Sequence, residues 1–236
     1  MHRRSLLAPG TFDPEPSSPA DYQPQAPEAS AAPGTPVLLH SCCAPCSSAI
    51  LEWLRHHGFA PTVFYFNPNI FPREEYEVRK SEAKRYCEKL GIPFIDGDYD
   101  HQKWRDAVKG LENEPERGAR CRVCFGERMR AAAIAAREHG FTHFTTTLAG
   151  SRWKRLEQIR EAAQEAAALT GTHYWDMDWR KGGLQNRRGE LLAQEGFYNQ
   201  QWCGCEFSMG HLAQKDPATL PSYVRTFIVR SLDDNH

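Results

Sequence analysis

The side chains with the most chemistry to offer are eight cysteines in 236 residues, and they are clustered. Cys42-Cys43 stand with Cys46, Cys121 and Cys124 form a C-x-x-C, Cys203 and Cys205 flank Gly204, and Cys87 stands apart. A C-x-x-C at the start of a helix puts both sulfurs on one face, where the helix N-terminus favours the thiolate. Zinc, an iron–sulfur cluster and a thioredoxin-like dithiol all use this spacing. In a strand, Cys42 and Cys43 would point to opposite faces, but at a strand-to-helix turn both can aim at one centre. Two thiolates from that turn and two from the C-x-x-C make the four that an all-cysteine zinc or iron–sulfur site requires. Cys46, one turn further on, reads either as a fifth ligand or as a small buried side chain. Cys87, beside Tyr86 and Leu90, reads as core. The C-G-C pair can close a disulfide only with local strain that Gly204 eases, and strained disulfides tend to be catalytic. The rival arrangement makes Cys203 and Cys205 metal ligands, joined to the C-x-x-C in a structural zinc site.

The elements that must position these groups follow from the apolar pattern. Residues 1–36 are rich in Pro, Ala, Ser and acidic residues, without apolar periodicity, and read as a disordered tail. A single catalytic α/β domain is expected over 37–210, with a C-terminal extension over 211–236. Val37–His40, Thr62–Phe66, Ile92–Ile95, Phe141–Thr147 and Tyr174–Trp179 read as strands. Between them, helices are expected from Pro45 to Gly58, Glu74–Leu90, Trp104–Leu111, Cys124–His139, Arg155–Leu169 and Leu184–Gln194. Strand and helix alternate, which predicts a Rossmann-like α/β fold: a parallel sheet with helices on both faces. In such folds ligands sit at the carboxyl ends of the strands, and Cys42-Cys43 follow the first strand directly. Net charge is −1, so no global basic charge advertises nucleic acid, although a local basic stripe can serve one RNA. No stretch has the apolar length of a membrane span, and the run Leu6-Leu7-Ala8 behind Arg3-Arg4 is too short for a signal peptide. A cytoplasmic, reducing location is expected, which disfavours a structural disulfide framework.

Taken together the motifs resemble the cobalamin-independent epoxyqueuosine reductases. The resemblance is carried by His40-Ser-Cys42-Cys43-Ala-Pro-Cys46, Tyr65-Phe-Asn-Pro68-Asn69-Ile, Gly97-Asp98-Tyr99-Asp100, Gly118-Ala-Arg120-Cys121-Arg122-Val-Cys124, Thr145-Thr-Thr147-Leu148, Arg180-Lys181-Gly182 and Tyr198-x-Gln200-x-Trp202-Cys203-Gly204-Cys205. It runs from about Leu38 to Ser208 in the family's order. It implies reduction of the epoxide of epoxyqueuosine at the tRNA wobble position, the last step of queuosine formation. It further implies a 4Fe-4S cluster on Cys42, Cys43, Cys121 and Cys124, an additional iron ion nearby, and a redox-active disulfide between Cys203 and Cys205. The chain departs from the family after Leu148, where Ala-Gly-Ser-Arg-Trp-Lys-Arg replaces an apolar run leading to Ser-Pro, and in its Pro-rich tail.

Removing an epoxide oxygen to leave an alkene takes two electrons and two protons. A cluster passes electrons singly and a dithiol carries two, so both kinds of centre suit the reaction. Asp98, Asp100, Tyr198 and Glu206 are candidate proton donors. Partners are the tRNA carrying epoxyqueuosine and an electron donor. Arg152, Lys154 and Arg155, and Arg180-Lys181 with Arg187-Arg188, are candidate phosphate contacts. Trp153, Trp179 and Trp202 are candidate stacking surfaces. ATP-dependent sulfur transfer to tRNA would need a glycine-rich loop where Ser41-Cys42-Cys43-Ala44-Pro45 stands. A zinc-stabilised RNA-binding module is the non-enzymatic alternative.

Overall fold

Val37, Leu38 and Leu39 are all fully buried because their strand is covered on both faces. The computed structural model, which describes residues 34–225, places them on β1 (Pro36–Ser41), the centre of a five-stranded parallel sheet. β2 (Ala60–Tyr65) and β3 (Phe94–Asp96) lie on one side of β1, and β4 (His143–Thr146) and β5 (His173–Tyr174) on the other. Every neighbouring pair is parallel. Val37 and Leu39 face one core, shared with α1 (Ala44–His56), α2 (Arg73–Leu90) and α6 (Leu184–Glu195). Leu38, with Phe64 and Phe144, faces the other, against the alanine-rich α4 (Ala119–Glu138) and α5 (Leu156–Thr170). A short α3 (His101–Ala107) is capped by the Asp100 carboxylate, which accepts from the Lys103 amide at 2.9 Å.

The strand order β3-β2-β1-β4-β5 is the Rossmann-like arrangement expected. The chain runs outward from β1 to β3, then returns to β1's other side as β4, so the order reverses between β1 and β4. That reversal opens a crevice at the carboxyl ends of these two strands. Cys42-Cys43 lead out of β1 and Thr147 leads out of β4, so both stand on it.

Two boundaries differ from expectation in ways that matter. The helix expected from Cys124 begins at Ala119, so Cys121 and Cys124 both lie within it. Glu114 accepts from the Ala119 amide at 3.0 Å, and Arg120 folds back onto the carbonyls of Leu111, Glu112 and Glu114, which builds a helix start from a polar segment without periodicity. The strand expected over Tyr174–Trp179 ends at Tyr174. Trp175, Met177 and Trp179 do alternate inward, but Asp176 turns to Arg160 at 2.8 Å and Asp178 to Arg180 at 2.7 Å, and the chain leaves the sheet. Cys87 is core, as expected. Beyond Gly210, Leu212, Leu220 and Val224 pack on Trp202 and Met209. The tail expected over residues 1–36 lies almost wholly outside the described residues, as does the end of the extension expected over 211–236. No helix among the described residues is long and apolar enough to cross a membrane.

Candidate active site

The first turn is built from a strand end and a proline. β1 stops at Ser41, Pro45 sits in the first turn of α1, and Cys43 is the extended residue that caps the helix, with φ −173° and ψ 160°. The sulfurs of Cys42, Cys43 and Cys46 therefore converge: all lie within 4.8 Å of one another, and Cys42 Sγ to Cys43 Sγ is 3.8 Å. This is an all-thiol group that can hold a metal ion, and soft sulfur donors suit zinc or iron–sulfur chemistry. Hydrogen bonds from the Cys43 and Cys46 thiols, with the charges of Arg128 and Lys154, hold the Cys42 thiol well below its ordinary pKa despite burial. Burial, then the neighbouring sulfurs, push Cys43 up. Gln200 Nε2 donates to Cys43 Sγ at 2.9 Å and to Cys46 Sγ at 3.5 Å.

Hydrogen bonds across three strands hold this turn in place. His40 Nε2 lies 3.0 Å from the Phe66 carbonyl and therefore donates to it, while Nδ1 accepts from the Thr146 hydroxyl at 2.8 Å. Burial and the Arg128 charge lower the His40 pKa to about 3, so the ring that makes this link is neutral. Asn67 Nδ2 donates to the Ser41 carbonyl at 2.9 Å and its oxygen accepts from Arg128. Just past the end of β4, Thr147 Oγ1 accepts from the Cys42 amide at 3.3 Å and lies 3.4 Å from Cys42 Sγ. The contact spans the point where strand order reverses.

The other two cysteine groups line one cavity. Cys121 and Cys124, on successive turns of α4, share it with Cys203 and Cys205, and with Asn69, Arg128, Trp153 and Lys154. Arg117 donates its amide to Cys121 Sγ at 3.2 Å. The thiolate-favouring effect expected of the helix N-terminus is overridden, because burial raises the pKa of both Cys121 and Cys124. Cys203 and Cys205 are free thiols that differ in character. The Cys205 thiol and Lys154 hold Cys203 well below its ordinary pKa, whereas Cys203 beside it and burial push Cys205 up. Ser208 Oγ is 3.1 Å from Cys203 Sγ and 2.8 Å from the Cys205 carbonyl, so its one proton serves either.

Two cations tie the groups together. Arg128 acts on Cys42 and on Cys124, and Lys154 on Cys42 and on Cys203. Sequence reasoning passed over Arg128, although its spacing of seven and four from Cys121 and Cys124 puts it on their helix face. It also gave no role to Gln200, Thr147 or Asn69. Asn69 is buried on the cavity wall, and its side-chain oxygen has no partner among the described residues. An orphaned buried acceptor is costly unless a bound group satisfies it.

The other candidates sort sharply. Arg187 is not a phosphate contact: it is buried against Glu52, with Nε to Oε2 at 2.7 Å, and also meets Glu190. Arg180 is taken by Asp178. Trp179 and Trp202 are core, whereas Trp153 is 72% exposed. Of the proton donors, Asp100 caps α3, Tyr198 donates to Glu75 at 2.9 Å, and Glu206 pairs with His101 and Arg105, each at 3.2 Å. Asp98 is exposed and holds no such partner among the described residues.

A family model described as "Epoxyqueuosine reductase QueH" matches residues 37–211. A protein of that name from Histophilus somni is 49% identical over 174 residues, 73% of this chain and 72% of its own. Another, from Acinetobacter baylyi, is 48% identical over 174 residues, 73% of this chain and 80% of its own. Among solved structures, the U34-tRNA thiolase NcsA from Methanococcus maripaludis with its 4Fe-4S cluster aligns with a TM-score of 0.44 at 12% identity, covering 87% of this chain and 67% of that one. That likeness is too slight to carry a site across. The match that spans the sheet, the first turn, the C-x-x-C and the C-G-C is the one that decides, and the chain belongs to the QueH family of epoxyqueuosine reductases.

Proposed function

We propose that this chain reduces the epoxide of epoxyqueuosine at the wobble position of tRNA with two sulfur centres: an iron–sulfur cluster held by Cys42, Cys43, Cys121 and Cys124, and a dithiol of Cys203 and Cys205. The observation that carries the reading is one cavity, at the carboxyl edge of the sheet, lined by the C-x-x-C and by a C-G-C of unequal thiols. Its wall also carries the orphaned Asn69 oxygen, an acceptor for a hydroxyl or amine of the modified base. Four thiolates fit a 4Fe-4S cluster, and the resemblance adds an iron ion beside it. A cluster so held would supply single-electron transfer and a Lewis acid for the epoxide oxygen.

The chain's own residues account for the balance. The epoxide takes up two electrons and two protons, its two C–O bonds break, and alkene and water result. Formation of the Cys203–Cys205 disulfide from a Cys203 thiolate and a Cys205 thiol releases two electrons and one proton, so the second proton must come from another acid. Cys203, held toward the thiolate by Lys154 and the Cys205 thiol, is the electron-rich sulfur, and Cys205 keeps its proton until the disulfide forms. A further proton can be held at His101–Glu206, next in the chain to Cys205. The two ring nitrogens of His101 lie 2.7 Å from the Pro68 carbonyl and 3.2 Å from the Glu206 carboxylate. An external electron donor must then restore the dithiol. The enzyme works in the cytoplasm, where its tRNA substrate is made and used.

The test is nucleoside analysis of tRNA from a deletion strain. Epoxyqueuosine should accumulate, the wild-type gene should restore queuosine, and Cys203→Ser should fail to do so while its protein keeps the visible absorption of an iron–sulfur cluster. A protein that is colourless and carries zinc after anaerobic purification would sink the cluster, and loss of absorption in Cys203→Ser would sink the dithiol.

A further inference from the structure

Trp153 has no ring, cation or side-chain hydrogen-bond partner among the described residues, and it is 72% exposed. The other five tryptophans are buried. A bare indole on a loose loop would be unremarkable, but this loop is pinned. Arg117 Nε donates to the Trp153 carbonyl at 2.9 Å, the Trp153 amide donates to Ser151 Oγ at 3.3 Å, and Gln185 holds the Gly150 carbonyl at 2.9 Å. Arg117 is itself fixed: Gln158 of α5 donates to its carbonyl at 3.0 Å, and its backbone is left-handed, with φ 68°. The loop's backbone is thus ordered by hydrogen bonds while its largest apolar surface stays in water.

The ring stands at the mouth of the cavity that holds Cys121, Cys124, Cys203 and Cys205. Its neighbours in sequence are Arg152, Lys154 and Arg155, and Lys154 reaches far enough into the site to act on Cys42 and Cys203. None of the three has a carboxylate ion pair among the described residues, although Glu116 lies on the cavity wall and Glu157 follows on α5. A flat, rigid π-surface with cations around it, beside a cavity for one modified base, is the chemistry of single-stranded RNA recognition.

We infer that Trp153 is a stacking platform for the base adjoining the modified nucleotide, with Lys154 and its arginine neighbours on the phosphates between them. The inference rests on the tRNA reading above and deepens it: the nucleotide is taken with its flank, as part of an unpaired loop, and not as a base alone.

The test uses the anaerobically purified holoenzyme and a labelled anticodon stem-loop, with the dissociation constant read by fluorescence anisotropy. Trp153→Ala should weaken binding by roughly 5- to 150-fold, the range base–aromatic stacking gives, and Trp153→Phe should keep most of the affinity. An abasic residue on the correct side of the wobble nucleotide should weaken the wild type by a similar factor and leave Trp153→Ala unaffected. On the free epoxyqueuosine nucleoside, which has no flanking base, Trp153→Ala should lose less of kcat/KM than it does on the stem-loop. Unchanged affinity in Trp153→Ala, additivity with an abasic residue on both sides, or a parallel loss on the free nucleoside would each overturn the stacking role. A wild type that binds the stem-loop and turns over neither substrate would overturn the proposed function instead.

Discussion

Replacing Glu75 by glutamine should cost about 3 kcal/mol of stability, because it strips the counter-charge from a fully buried arginine. Glu75 is 0% exposed and Arg79 2%. One carboxylate oxygen accepts from Arg79 Nε at 2.6 Å, and the other from the hydroxyls of Tyr198 at 2.9 Å and Tyr223 at 2.8 Å. Arg79 in turn donates to the carbonyls of Trp202 at 3.2 Å and Cys203 at 3.3 Å, and lies 5.2 Å from the Trp202 ring. One buried ion pair thus anchors α2, the approach to the C-G-C and the C-terminal segment. Removing one partner of such a pair typically costs about 3–5 kcal/mol, and glutamine, which keeps one acceptor, belongs at the low end. With a urea slope of about 2 kcal/mol per M, the midpoint should fall by about 1.5 M. The assay is urea unfolding followed by tryptophan fluorescence, with variants matched for iron content. The double variant Glu75→Gln/Arg79→Met should cost less than Glu75→Gln alone, since no unpaired charge is left inside. A single-variant cost below about 1 kcal/mol, or a double variant equal to the sum, would refute the reasoning.

Four further outcomes follow from the same geometry. Gly204→Ala should destabilise the C-G-C loop by about 1–3 kcal/mol, because the residue sits at φ +100° and a Cβ would come 2.8 Å from Ile70 Cγ1 and 3.2 Å from an Arg79 nitrogen; normal stability with normal dithiol titration would contradict this. Cys43→Ala should lose bound iron and visible absorption while Cys46→Ala keeps its cluster absorption, and the reverse, read by iron analysis, would exchange their roles. Lys154→Ala should flatten the dependence of log affinity for the stem-loop on log salt by about 0.7, the contribution of one single-strand phosphate contact. Arg187→Ala should leave that slope unchanged and lose stability instead, because its guanidinium is committed to Glu52.

The sheet explains how three cysteine groups so far apart in the chain come within reach of the same two cations, Arg128 and Lys154. Cys42-Cys43 leave β1, Cys121 and Cys124 open the helix that leads into β4, and β1 and β4 are neighbours. Parallel strands put both connections at defined edges, and the reversal of order between β1 and β4 keeps the crevice open. The C-G-C arrives last, and it has no strand to place it. Its position is set by the Arg79 guanidinium and by Phe71, whose amide donates to the Gly204 carbonyl at 2.9 Å.

That difference marks what could be read from the residues alone. β1, β2 and β4 were legible because buried parallel strands are continuous apolar or β-branched runs, and the C-x-x-C was legible because its spacing is local. The short β5 was overrun because Trp175, Met177 and Trp179 alternate as a strand does while packing as a loop. Arg187 and Arg152 look alike in sequence, yet one is locked to Glu52 and the other is exposed, and no local pattern separates a buried cation from a solvated one. Long-range polar contacts were the least legible. Glu75 and Arg79 read as one more i, i+4 pair on a charged helix, and only the tertiary fold turns that pair inward to carry the carbonyls of Trp202 and Cys203. The spacing of the cysteines announces which chemistry is present. Whether Cys203 faces the same cavity as Cys121 and Cys124 depends on an arginine 124 residues upstream of it.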